Sequence, residues 1–308
     1  MKQIFFSSML FITLLTLTGC GGGGGGDVGS PPQTGAYVWP DATNTGPTGT
    51  LTLHTGNITT SSDGQIIENM EIHGNIDVSH DNVIIRNCEI YGQPGSYNVI
   101  YFNGMSTQTS KNLLVEYCHI HGNGAQGCGI YGKNYTIKYC NLENMPQPVK
   151  VTNGTVVVEN NYIHDLWGVN AGMHNDGMIT NGDADHTDNM NITVRNNYIY
   201  ARTVDGNGGA SGAILLWGDF GQVDNWLIEH NKLQVGEDES FYIFAGGAPG
   251  KPYPYCTNVR VLNNVFVYTS RVGRSNAIVY LENANGNYAS GNIWEDTGAI
   301  VVPNPGGY

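Results

Sequence analysis

The sequence predicts an all-β chain wound as a single right-handed parallel β-helix, a solenoid of about nine coils with three strands per coil. Three observations carry this expectation: a phrase that recurs along the chain, two chemically regular columns inside that phrase, and the composition. The phrase reads IIENMEIHG at 66–74, VIIRNCEIYG at 83–92, LLVEYCHIHG at 113–122, TIKYCNLEN at 136–144 and VVVENNYIHD at 156–165. It continues as ITVRNNYIYA at 192–201, WLIEHNKLQV at 226–235 and VRVLNNVFVY at 259–268, with a weaker copy, YASGNIWE, at 288–295. Of 308 residues 43 are glycine and only 13% are charged, which excludes coiled coils and charged helical bundles. A net charge of −13 argues against nucleic acid as the partner.

Each phrase holds alternating apolar residues, two turn residues and a second short alternation, the pattern of two strands meeting at a sharp bend. A third apolar run lies between phrases, at 99–102, 129–131, 149–152, 177–180, 214–217, 241–244 and 278–281. The phrases are spaced from about 18 to about 36 residues apart, so loops vary in length while strands stack.

Stacking about 4.8 Å apart brings equivalent residues of successive coils together. The turn column reads Met70, Cys88, Cys118, Cys140, Asn161, Asn197, Asn231, Asn264, Asn292: a cysteine stack continued by an asparagine ladder. Two positions earlier, Glu68, Arg86, Glu116, Lys138, Glu159, Arg195 and Glu229 alternate in sign, which favours this register and gives these charges a structural role. Stacked cysteines have Cβ atoms about 4.8 Å apart, beyond the ~3.5–4.5 Å of a disulfide, so buried free thiols are expected. Cys128 and Cys256 belong to distant loops, and no Cys-x-x-Cys metal spacing occurs.

Ahead of the repeats, Lys2 precedes an apolar stretch from Ile4 to Leu17, too short to span a bilayer and readable as a secretion signal. It ends in Leu17-Thr18-Gly19-Cys20, which resembles the lipobox of bacterial lipoproteins. That resemblance implies a signal peptide over 1–19, lipidation of Cys20, a glycine-rich tether and lead-in over 20–49 and the β-helix domain over 50–308. It places the protein in the bacterial cell envelope, bound to a membrane through Cys20, with Gly21 similar to the outer-membrane sorting pattern.

The repeat over about 50–302 resembles the pectate-lyase-like superfamily of right-handed β-helix proteins. Such a resemblance implies an exported protein acting on or binding polysaccharides, and leaves the chemistry open. His174-Asn175-Asp176-Gly177 looks like the Asn-Thr-Asp-Gly signature of polygalacturonase-type hydrolases, while that family's Asp-Asp, Gly-His-Gly and Arg-Ile-Lys motifs do not follow.

Because side chains fill the interior, a ligand must lie on an outer face walled by loops. With Val149, Val151 and Ile179 inward, alternation points Lys150, Thr152, Asp176, Met178 and Thr180 outward on the third-strand face. Tyr101, Leu215, Trp217, Ile243, Tyr280 and Glu282 are expected on the same face. Lys150 is then beside Met178 and diagonal to Asp176, with His174 entering from the adjacent loop and His164 and Asp165 leaving the preceding strand toward the same side.

The reading that follows is a polysaccharide lyase: His174 is the first candidate base, Lys150 its partner, and Asp176 orients His174 while His164 and Asp165 complete the wall. Arg202 or a bound Ca²⁺ holds the substrate carboxylate, and Trp217, Tyr101, Thr180 and Tyr280 are candidate sugar contacts. Asp183, Asp185 and Asp188 form a loop suited to calcium. A glycoside hydrolase using Asp165 and Asp176, or a non-catalytic glycan-binding or scaffold protein, are the rivals; in each case a monomer with a polysaccharide partner is expected.

Overall fold

The computed structural model describes residues 37–306, apart from 103–108, 169–173, 183–189, 205–208, 238 and 247. The expected signal peptide, Cys20 and the expected tether as far as residue 36, together with Asp183, Asp185 and Asp188, lie outside the described residues.

The chain is a right-handed parallel β-helix with three strands per coil, and no helix occurs among the described residues. Sheet 1 has ten strands, from Thr52–Thr55 to Ile293–Trp294; sheet 2 has nine, from Ile58–Thr59 to Ile278–Val279; sheet 3 has nine, from Ile66–Glu68 to Tyr288–Ser290. Each recurring phrase is one strand of sheet 3, a bend, and one strand of sheet 1, and the run between phrases is a strand of sheet 2.

The bend has a local cause. Asn69, Asn87, Tyr117, Tyr139, Asn160, Asn196, His230 and Asn263 adopt φ between 50° and 57°, the left-handed conformation that asparagine tolerates best among residues with a Cβ. One such residue per coil turns the chain and aims the next side chain inward. Those next side chains are the expected ladder. Asn161 donates from Nδ2 to Asn197 Oδ1 at 3.0 Å, Asn197 to Asn231 at 3.0 Å, Asn231 to Asn264 at 3.0 Å and Asn264 to Asn292 at 2.9 Å. Cys88, Cys118 and Cys140 are buried free thiols, as are Cys128 and Cys256.

Apolar columns fill the interior. Sheet 1 contributes Ile72, Ile90, Ile120, Leu142, Ile163, Ile199, Leu233, Phe266 and Trp294 in continuous register, all buried. On the outside of sheet 3 the charge column pairs as expected, with Arg86–Glu68 at 2.7 Å, Lys138–Glu116 at 3.3 Å and Arg195–Glu159 at 2.7 Å.

Sheet 2 departs from simple alternation. Val149 pairs with Met178, Lys150 with Ile179 and Val151 with Thr180. Met178 therefore belongs to the core column and Ile179 to the outer one, the reverse of the sequence expectation, and Thr180 lines up with core Val151 and Leu216. Ile243 is likewise in the core, opposite Ile214 and Ile278. The strand His174–Thr180 pairs with its predecessor one residue away from the register expected, Lys150 opposite Ile179 rather than Met178, and a one-residue slip moves every side chain of a strand to the other face. Position 177 is glycine because a Cβ there would lie 2.5 Å from Ile199 Cγ2 and 2.7 Å from the Ala213 carbonyl oxygen. Packing thus accounts for the glycine of the HNDG segment.

Candidate functional site

On sheet 2 the structure brings together only part of the expected site. Lys150 is in the outer column, its Nζ 5.3 Å from the Tyr131 ring centre, and its neighbour is Ile179 rather than Met178. His174 is exposed and its Nδ1 lies 2.7 Å from Ser211 Oγ, so Ser211 and not Asp176 is its partner. Asp176 is fully buried and neither carboxylate oxygen has a hydrogen bond of ordinary geometry. Burial pushes its pKa up to about 7, against the pull of the neighbouring Ser211 hydroxyl and the Ser211 and Gly212 backbone.

The expected sugar contacts fare unevenly. Trp217 stacks on Phe244 at 4.6 Å and carries the Lys251 ammonium 3.5 Å from its ring centre, so its π-system is already engaged. Tyr280 packs on Phe244 in a second apolar cluster with Ile179 and Leu215, and Thr180 is buried. Tyr101 remains half-buried in the outer column beside Tyr131.

His164, Asp165 and Arg202 do not join this group, because they belong to sheet 1, in strands Tyr162–Leu166 and Tyr198–Thr203. There they complete a constellation that the alternation of the phrase's second half produces directly. In His119-Ile120-His121, Asn141-Leu142-Glu143, Tyr162-Ile163-His164 and Tyr198-Ile199-Tyr200 the middle residue points inward and both flanks point out. Stacked coils then bring Glu89, His119, His121, Glu143, His164, Asp165 and Arg202 into one continuous run. Nothing in the turn or charge columns reveals it; the signal was in the flanks of each second strand, read down the repeats.

At the centre of the run, Glu143 Oε1 lies 3.2 Å from His119 Nε2 and 3.0 Å from His121 Nδ1, and its Oε2 is 3.6 Å from His164 Nε2. Hydrogen bonds from His119 and His121 hold the Glu143 carboxyl well below the usual range, outweighing its burial. His164 Nδ1 is 2.9 Å from Asp165 Oδ2, and its Nε2 is 2.8 Å from Asn141 Oδ1. Burial lowers the His164 pKa despite the neighbouring carboxylates. Asp165 bonds Arg202 Nε at 2.5 Å; the two basic partners keep its carboxyl ionised below the ordinary range although burial opposes them.

Aromatic groups frame the run. Tyr162 stacks on His164 at 4.0 Å, Tyr91 on His121 at 4.5 Å, and Arg202 sits 4.8 Å from the Tyr200 ring centre. Burial, with Glu89 alongside, raises Tyr91 to about 12, and burial raises Tyr198 to about 12 and Tyr162 in the same direction, so these phenols keep their protons at neutral pH. Tyr91, His121, Asn123, Gly124, Asn144 and the exposed Trp167 line a groove of about 400 Å³ at the edge of this face. A larger hollow of about 560 Å³, beside Lys111 and Tyr135, has Lys111 as its only charged lining residue and no carboxylate or imidazole. Two sets of side chains, Glu89 with His119 and His121, and Glu143 with His164 and Asp165, can each bring three metal-ligating atoms within 4.8 Å of one another.

No family model, curated protein or solved structure matches the chain.

Proposed function

We propose that the protein is an exported polysaccharide lyase of the pectate-lyase-like kind, cleaving a uronate-containing glycan across the outer face of sheet 1. The observation that carries the reading is the placement of Asp165 between His164 and Arg202, which fixes a base relative to a carboxylate-binding cation. β-Elimination needs three groups: one to neutralise the substrate carboxylate, one to take the C5 proton, one to protonate the leaving oxygen. Arg202, 44% exposed at its side chain, would meet the carboxylate. His164, neutral at pH 7 and oriented by Asp165 at Nδ1, would take the proton at Nε2, whose lone pair the Asn141 side chain meets with its amide N–H in that tautomer and releases to the substrate. The electron pair of the C5–H bond forms the C4–C5 double bond, the C4–O4 bond breaks, and Tyr162, stacked beside His164, supplies the proton to O4. Trp167 and Tyr91 offer apolar faces to neighbouring sugars.

A hydrolase is less well supported on this face, since Glu143 and Asp165 are both held ionised and neither can act as the proton donor. The secretion signal and LTGC segment support export and anchoring in the cell envelope through Cys20. Replacing Cys20 by Ser should release the chain from membranes or stop its processing, and unchanged fractionation and mass would contradict the anchor.

The lyase test is incubation with a panel of uronate polysaccharides, following the absorbance of unsaturated uronate products. Arg202→Ala and His164→Ala should each lower turnover about a hundredfold or more while the protein stays folded. Reducing ends without new absorbance would make it a hydrolase, and retention on the glycan without products would make it a binding protein.

A further inference from the structure

We propose that Glu89, His119 and His121 form a binding site for one divalent transition-metal ion such as zinc or cobalt, on the outer face of sheet 1. The argument is one of protons and lone pairs. Glu143 Oε1 lies within hydrogen-bond distance of His119 Nε2 (3.2 Å) and His121 Nδ1 (3.0 Å). An ionised carboxylate only accepts, so both of those ring nitrogens carry the N–H, and a neutral imidazole has just one. His119 Nδ1 and His121 Nε2 therefore present lone pairs, and both face Glu89 Oε1, at 3.8 and 3.4 Å. His121 Nε2 is buried and has no hydrogen-bond partner.

Two imidazole lone pairs thus face one carboxylate oxygen with no hydrogen among them, and each of the three side chains can place a ligating atom within 4.8 Å of the other two. Separations of 3.4 and 3.8 Å are long for N–H···O bonds, which run to about 3.2 Å. They are close to the ligand–ligand edges of about 3.3–3.6 Å around a tetrahedral ion with bonds of about 2.0–2.2 Å. Protonating both rings instead would set two imidazolium ions with centroids 3.7 Å apart. Two imidazoles and one carboxylate suit first-row transition ions, whereas calcium prefers an all-oxygen set.

The surroundings match such a site. Glu143 accepts from the far nitrogen of both histidines, the outer-shell carboxylate that fixes tautomer and ring orientation in metal-bound imidazoles. Tyr91 donates to Glu89 Oε1 at 2.8 Å and stacks within 4° of parallel on His121, so the ligand rotamers are held in advance. His121 and Tyr91 also wall the 400 Å³ groove, which gives an ion an entry path and open coordination positions. The inference is independent of the lyase reading, whose base and cation lie on the strands Tyr162–Leu166 and Tyr198–Thr203.

The test is titration of chelator-stripped, untagged protein with Co²⁺, followed by its visible absorption, and then with Zn²⁺ in competition. One equivalent of Co²⁺ should bind, Zn²⁺ should displace it, and Ca²⁺ should not. His121→Ala, and Glu89→Gln as a variant that preserves shape, should each weaken binding a hundredfold or more. Glu143→Gln, which touches no metal, should weaken it about 10- to 100-fold, while His73→Ala, on the same face, should leave it unchanged. Absence of saturable binding, or binding that survives both His121→Ala and Glu89→Gln in folded protein, would overturn the proposal. Equal affinity for Ca²⁺ would overturn it as well.

Discussion

Replacing Asn231 by Ala should cost far more stability than replacing any member of the charge column. Asn231 is fully buried, and its Oδ1 accepts from both the backbone N–H and the Nδ2 of Asn197, each at 3.0 Å. Its Nδ2 donates to Asn264 Oδ1 at 3.0 Å and to the Val194 carbonyl at 2.9 Å. Truncation leaves the Asn197 backbone N–H and one of its two amide N–H groups without an acceptor; the other keeps the Val158 carbonyl at 2.8 Å. A buried donor left unsatisfied costs about 1–3 kcal/mol, so two cost about 2–6 kcal/mol. Arg86→Ala removes an ion pair with Glu68 in which both side chains are about 40% exposed, and should cost only about 0.2–1 kcal/mol. Urea unfolding followed by the fluorescence of buried Trp226 and Trp294 would measure both, provided the slope with denaturant is unchanged. A loss below about 1 kcal/mol for Asn231→Ala, level with Arg86→Ala, would refute the idea that the ladder carries the bend.

Thiol titration of a Cys20→Ser variant should find no reactive cysteine in the native state, because all five remaining thiols are buried and burial pushes Cys128 and Cys256 up to about 12; rapid labelling without unfolding would contradict this. Glu143 has a depressed folded-state pKa, so the stability it contributes is present above its ordinary value of 4.5 and is lost as pH falls through the lower folded value. Unfolding curves of Glu143→Gln should accordingly show a shallower acid loss than the parent. Asp176 has the opposite sign: its pKa is raised from 3.8 to about 7, so its contribution is present below pH 3.8 and lost as pH rises through about 7. Asp176→Asn should therefore gain stability relative to the parent at pH 8 and not at pH 3.5, and an equal effect at both would rule out the buried carboxyl as the cause.

The fold was legible because the features that define a coil are repeated in every coil. The asparagine ladder and the charge column could be read from single positions, since each needs one residue type once per turn. Sheet 2 was not legible to the residue. Its strands contain two adjacent buried positions, as at Pro148 and Val149, so a parity argument carried from Val149 into the next coil lands one residue out, on Ile179 instead of Met178. The expected site was split for the same kind of reason. His164, Asp165 and His174 lie within eleven residues of one another in sequence, but Leu166 ends a strand of sheet 1 and His174 begins one of sheet 2, so that sequence neighbours stand on different faces. What could not be read from any one repeat was the sheet 1 run, whose members come from strands in five successive coils.

The run on sheet 1 and the column on sheet 3 use the same device, alternating acid and base down a stack, yet they differ in what they leave over. On sheet 3 every carboxylate in the paired coils faces Arg or Lys, permanent cations on long exposed stems, so the column closes on itself. On sheet 1, among the described residues, the one permanent cation beside Glu89, Glu143 and Asp165 is Arg202, paired with Asp165, and the other basic partners are imidazoles. An imidazole satisfies a second carboxylate only by taking up a second proton; otherwise it turns a lone pair outward. A face assembled only to pair charges would, as sheet 3 does, use Lys or Arg opposite these carboxylates. Histidine there stores unspent lone pairs beside a groove, and those lone pairs are what proton transfer or metal ligation requires.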